Sequence, residues 1–167
     1  MKASENMGTF LKIKMNKNMT QEDKQLLIKD ICARLPYRIN VLTEDNDKGY
    51  IVGVDDTENG VFEIHIIEDG DSYTCDESIE NFKPYLRSLS SMTEEEFLTL
   101  QDMYVYKNLE YESIIDKFYT LWKSKKYIPF YMYDFRQIDY LNSHYLDYRG
   151  LIEKGLALEA PEEMYKV

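Results

Sequence analysis

The chain has 167 residues, a mass of 19.9 kDa and a net charge of −11, enough chain for one domain whose core needs neither disulfide nor metal support. Nearly all of the acidic excess lies in residues 49–100, which hold 2 Lys and Arg against 13 Asp and Glu; that field argues against direct nucleic-acid binding and favours basic protein partners. No apolar run approaches the ~20 residues of a membrane span, and the N-terminus lacks the apolar core of a signal peptide, so a cytoplasmic protein is expected.

Residues 1–18 set Phe10, Leu11 and Ile13 among Lys, Asn and Met, a short strand or a tail. Thr20 then caps a helix running to about Arg34, with Asp23 as a short-armed capping-box acid. Leu27, Ile31 and Leu35 share one helical face, broadened by Ile28 and Cys32, and Pro36 ends it. The period next changes to two. Strands are expected over Tyr37–Leu42, Tyr50–Val54 and Val61–Ile67, with Phe62, Ile64 and Ile66 on the core face of the last. Asn59-Gly60 marks a hairpin. Residues 68–71 turn the chain before an extended piece around Tyr73–Cys75. Linkers this short hold no crossover helix, so an antiparallel meander is the simplest arrangement.

Residues 80–97, ENFKPYLRSLSSMTEEEF, form a junction in composition. Pro84 and three serines oppose a continuous helix, and Lys83–Arg87 is expected as a short extended or turn segment leading out of the sheet, anchored by Tyr85, Leu86 and Leu89. A helix then starts at Thr93: Glu96 completes a capping box, Met92 and Phe97 form a hydrophobic staple, and Glu94–Glu96 complement the helix dipole. It is expected to reach about Tyr106 with Phe97, Leu98 and Leu100 inward. A second helix is expected over 109–124 and a third over 134–145, with breaks at Gly150, Gly155 and Pro161. The pattern gives an α+β fold in a single domain over 1–167. It combines an N-terminal helix and small antiparallel meander at about 20–80 with a helical half at about 93–167 packed against the sheet.

Chemistry-bearing residues are sparse. His65 shares a strand face with Glu63 and Ile67, and no nucleophile is identified beside it. Asp139, His144 and Asp147 are the best constellation for metal or acid/base work; His144 and Asp147 share a face if the third helix is continuous. Glu63 or His65 would have to complete such a site across the fold. Cys32 lies on the apolar helix face, and Cys75 has Tyr73, Asp76 and Glu77 close by, the acids disfavouring its thiolate if they face it. Phosphate-loop, GxGxxG, HExxH and GxSxG motifs are absent, and no catalytic, cofactor or metal residue is assigned. Of 15 Tyr, 7 Phe and 1 Trp, many fall after residue 100, a composition suited to an interface or to a core boundary.

Three segments, CARLPY at 32–37, KPYLRSLSSMTEEE at 83–96 and DYRGLIEKGLALEAP at 147–161, together resemble a family of small uncharacterised proteins of Bacteroides-type genomes and their phages or prophages. The resemblance implies a phage- or mobile-element-associated protein and carries over no catalytic residues. The function expected is that of a small accessory protein binding another protein, such as a host-encoded one, through its acidic middle, its tyrosine-rich region or both. The alternative is an enzyme with an unrecognised polar site, of a hydrolytic kind, using His65 with Asp139 or His144.

Overall fold

The computed structural model describes residues 18–68, 71–103, 120 and 134–165; apart from Thr120, the expected helix over 109–124 lies outside them, as do the apolar positions of residues 1–17. The fold is α+β. Helix α1 (Gln21–Arg34) precedes strands β1 (Asn40–Thr43), β2 (Lys48–Asp56), β3 (Val61–Glu68), β4 (Asp71–Ser78) and β5 (Phe82–Leu86). Helices α2 (Glu94–Asp102) and α3 (Phe135–Ser143) and the two-residue β6 (Leu158–Glu159) follow. Among the described residues no helix is long and apolar enough to cross a membrane.

Local chemistry accounts for the helix starts. Thr20 Oγ1 accepts the Asp23 amide, while the Asp23 carboxylate takes the Thr20 hydroxyl, so the expected box is only half made. At Thr93 the box is reciprocal: Glu96 N donates to Thr93 Oγ1 (3.1 Å) and Thr93 N to Glu96 Oε2 (2.8 Å). Asp134 and Gln137 repeat the device for α3. Met92 and Phe97 are both buried, as a staple requires. Leu98, expected inward, is exposed, because the inward stripe of this short helix is Phe97 and Leu100.

The sheet order is β4-β3-β2-β1-β5-β6, with all neighbours antiparallel except β5 and β6. The meander therefore extends to β4 as a full strand. The β2–β3 connection is a four-residue turn, Thr57–Gly60, rather than a two-residue one. The Asp56 carboxylate accepts the amides of Glu58 and Asn59, and only Gly60 is left-handed, at φ 70°. A side chain at Gly60 would also press on Ile79 and Ile28, so this glycine sets both the turn and the approach of α1.

The 80–97 junction is placed differently from expectation. Phe82–Leu86 does not leave the sheet; it is β5, inserted between β1 and β6. Pro84 is tolerated there for a reason of register. The Glu44 amide bonds the Asn81 carbonyl at 2.7 Å, and antiparallel bonds recur every second residue, so Val41 and Pro84 face each other at a non-hydrogen-bonded position. The same count makes Asn40 and Tyr85 a bonding position, and there the Tyr165 hydroxyl is inserted. It accepts from Asn40 N (3.1 Å) and donates to Tyr85 O (3.0 Å). The tail thus supplies one rung of the ladder, and the Tyr165 ring stacks on Tyr145 at 3.7 Å. Tyr165→Phe is expected to leave those two backbone groups unpaired at a cost of about 1–3 kcal/mol. A drop in urea midpoint together with faster exchange of the Asn40 amide checks this.

The sheet is coiled. Extended, the nine residues of β2 would span ~30 Å. Yet Ile79, bonded to Gly60 beyond one end of β2, and Asn81, bonded to Glu44 near the other, are two residues apart. Register shifts at Ile51/Gly53 and Val54/Asp56 mark where β2 bends. One face of the coil and α1 close over the main core, which includes Leu27, Ile31, Ile51, Phe62, Ile64 and Phe82. A second cluster joins α2 and α3 through Phe97, Leu100, Leu141, Leu146 and Tyr148.

A buried polar hub lies between the clusters. Asp30 and Arg34, one helical turn apart on α1, are both 0% exposed. Arg34 Nε and Nη2 reach the Asp30 carboxylate at 2.8 and 3.1 Å, and its Nη1 and Nη2 also reach the carbonyls of Leu141 and Leu146 at 3.3 and 2.9 Å. Arg149 Nε adds a third contact to Asp30 at 3.2 Å. Both guanidinium groups lie against the Tyr148 ring. Arg34 thereby ties α1 to the end of α3 and the turn after it, through two carbonyls that also accept the Leu146 and Tyr148 amides.

Candidate interaction surface

The residues singled out in the sequence for acid/base or metal chemistry are not assembled. His65 stands on β3, its Nδ1 3.3 Å from Thr74 Oγ1 across the strand pair and its ring 5.0 Å from Tyr50. Asp139 accepts the Tyr37 hydroxyl. Helix α3 ends at Ser143 and Tyr145 is left-handed at φ 59°, so the continuous helix that would align His144 with Asp147 does not exist. Asp147 is buried and accepts the amides of Leu151 (2.9 Å) and Ile152 (2.8 Å), fixing the first turn of the tail. Burial pushes its carboxyl above the ordinary range in spite of those two bonds. Among the described residues no group of three or more His, Cys, Asp or Glu could hold a metal ion.

His144 lines an open groove of about 700 Å³ with Arg87, Thr93, Glu96, Tyr145 and Tyr165. Its Nδ1 is 2.9 Å from the Tyr140 carbonyl, an acceptor only, so that nitrogen carries the proton. Ser143 Oγ donates to the same carbonyl and sits 3.1 Å from the protonated nitrogen. His144 therefore cannot take a proton from Ser143 in this geometry, and the pair is not a nucleophile with its base. Arg87 is likewise occupied, by both Glu96 oxygens at 2.7 and 3.0 Å and by the Ser91 carbonyl.

Glu96 joins the helix cap to this ion pair. Burial raises its carboxyl, but the bonds from Arg87 and the Thr93 amide outweigh burial and bring it below the usual range. A carboxyl lowered by folding contributes stability that is present above its unfolded value near 4.3 and is lost as pH falls through the folded value. Asp134, with its own amide and Arg136 bonds outweighing burial, acts in the same direction. The urea midpoint of the wild type is expected to fall below about pH 4. Glu96→Gln should be less stable at pH 7 and approach the wild type near pH 3.

The cysteines are no better suited to chemistry. Burial pushes the Cys32 thiol up, and burial followed by Glu77 and Asp76 does the same to Cys75. Lowered thiol pKa values mark reactive cysteines, and both shifts run the other way. Of the aromatic residues, Tyr148 is core and Tyr145 and Tyr165 are partly buried tail contacts. The aromatic positions from Tyr104 to Tyr133 lie outside the described residues.

What the fold does expose is the acidic outer hairpin. Strand β4 is the edge of the sheet, and among the described residues it pairs only with β3. Asp71, Ser72, Tyr73, Thr74 and Asp76 are exposed. Paired residues of antiparallel strands point to the same face, so the face turned away from α1 carries Glu63 beside Asp76, His65 beside Thr74 and Ile67 beside Ser72. Glu63 and Asp76 are like charges directly opposite, an arrangement that destabilises a sheet. Gly53 is the residue opposite Glu63 on β2, and the Glu63 carboxylate lies over it. Among the described residues neither Glu63 nor Asp76 forms an ion pair. Ile67, 55% exposed, adds apolar area to the hairpin, and Val52 on the adjacent β2 is 46% exposed.

Sequence reasoning located the acidic field but not the edge that carries it, because edge position depends on β5 joining the far side of β1. It also missed the Asp30–Arg34 hub, whose only local signal is an i,i+4 pair of opposite charges. Comparison with protein-family models, curated proteins and solved structures finds no match.

Proposed function

We propose that the chain is a small accessory protein that acts by binding another protein, with the acidic β3–β4 hairpin as its docking surface and a basic protein as its partner. The observation that supports this is the exposed Glu63–Asp76 pair, two like charges set side by side with no described cation to relieve them. Such a pair weakens the isolated sheet and is relieved when a cation from a partner arrives. Strand-edge acids also suppress self-association, and that use is compatible with selecting a basic partner over a second copy. The resemblance to Bacteroides-type phage and prophage proteins adds a cytoplasmic, mobile-element setting to the proposal. A host nucleic-acid-binding protein is its narrower form, since such proteins present basic clefts.

The test immobilises the wild type and a triple variant, Asp71→Asn, Asp76→Asn and Glu77→Gln, and compares what each retains from a lysate of a Bacteroides-type bacterium. Retained candidates are then purified and titrated. The expected result is a saturable partner whose affinity drops at least tenfold with the variant and whose binding weakens as salt rises. The absence of any saturable partner, or equal affinity for both proteins, overturns the reading.

A further inference from the structure

We infer that β4 receives a basic, extended segment of the partner as an added antiparallel strand, so that recognition uses the backbone of the sheet edge together with its charge. The inference rests on the docking reading above and specifies how docking occurs.

Register decides which groups are offered. The Ile79 amide bonds the Gly60 carbonyl at 2.8 Å, and the β3–β4 pairing runs without a register shift from Val61↔Ser78 to Glu68↔Asp71. Bonding positions recur every second residue, so Glu77, Cys75 and Tyr73 direct their backbone groups to β3. Asp76, Thr74 and Ser72 then direct their amides and carbonyls outward. These three are exposed, and an exposed row of outward backbone groups is the template on which an extended peptide adds a strand.

Side-chain direction is fixed by the same count. A residue that exchanges backbone bonds with Asp76 places its own side chain on the face away from α1, directly beside Asp76 and continuing the row Gly53, Glu63, Asp76. A Lys or Arg there meets a carboxylate and relieves the like-charge pair. The partner's alternate residues fall on the other face, beside Tyr73 and Cys75. Small or β-branched residues suit those positions.

The occupant is a basic segment and not a second copy. Two β4 strands paired edge to edge would bring together two sets of Asp71, Asp76 and Glu77, and like charges across a pair are repulsive. The β3–β4 pairing is antiparallel, and antiparallel addition extends that bonding pattern without change.

The experiment uses the full chain and a synthetic ten-residue peptide of alternating Lys and Thr, followed by amide exchange and titration. In this geometry the Lys residues bond β4 and the Thr amides point to solvent. The unmodified peptide is expected to bind saturably and to slow exchange at Ser72, Thr74 and Asp76. A peptide N-methylated at its Lys residues should lose at least tenfold in affinity, and one N-methylated at its Thr residues should bind as the unmodified peptide does. Equal binding of all three peptides, without protection of those amides, would show attraction by charge alone; it overturns strand addition and leaves the docking reading standing. No binding of the unmodified peptide also overturns strand addition, while the lysate comparison separately decides whether the acidic hairpin has a partner.

Discussion

Replacing Asp30 by alanine is expected to cost about 3–5 kcal/mol of folding stability, because it strands a buried charge. Arg34 is fully buried and Arg149 partly so, and Asp30 is the carboxylate that both contact. Removing it leaves two guanidinium groups without their shared counter-charge while Arg34 stays tied to the Leu141 and Leu146 carbonyls. Arg34→Met should be comparably damaging, since it removes the two-point partner of the buried Asp30 carboxylate. The double change Asp30→Ala with Arg34→Met should cost less than the sum of the single changes, because replacing a whole buried pair by apolar groups spares the unpaired charge. Urea midpoints of the three variants check this, and strict additivity would mean the two side chains do not act as a pair.

Phe97→Ala is expected to cost a similar amount, about 3–5 kcal/mol, as the loss of a fully buried ring and the cavity it leaves. Phe97 is the larger of the two fully buried α2 side chains in the second cluster, packed with Leu100, Leu141, Leu146 and Tyr148. The more informative result is where the loss is felt. Arg34 links α1 in the main core to the backbone of Leu146 in the second cluster, so the two clusters should unfold together. Exchange of the slowest β2 and β3 amides is then expected to quicken in Phe97→Ala by the same free energy as the global midpoint reports. If those amides keep wild-type protection, the clusters are independent units and the hub does not couple them.

Legibility in the sequence followed the range of the interactions. Helix starts at Thr20, Thr93 and Asp134 are set by hydrogen bonds within three residues, and they lie where the residues indicate. The Phe62, Ile64 and Ile66 face is set by a two-residue period and is buried as expected. Strand β5 was not legible, because Pro84 reads locally as a breaker and its acceptance depends on facing Val41 at a position that needs no amide. The hub required Leu141 and Leu146, more than 100 residues from Arg34, to present their carbonyls. Tyr165 gave no local sign that its hydroxyl would serve as a rung between Asn40 and Tyr85.

The candidate surface divides in the same way. Its charge was legible from composition alone, since acids are seldom buried and a run of them marks a solvated face. Its geometry was not. Pairing Glu63 with Asp76 requires the β3–β4 register, and leaving β4 at the edge requires β5 to close the opposite side. Conversely, His144 and Asp147 looked aligned only on the assumption of a continuous helix, which the left-handed Tyr145 interrupts.

One pair of readings on a single variant separates outer acids that serve a partner from outer acids that serve the fold. For Asp76→Asn, urea unfolding and titration with the Lys–Thr peptide are measured on the same preparation. Relief of the Glu63–Asp76 repulsion should leave stability unchanged or raise it by about 0.2–1 kcal/mol, while affinity for the peptide falls at least tenfold. A variant that loses stability and binds the peptide as tightly as the wild type would contradict the account.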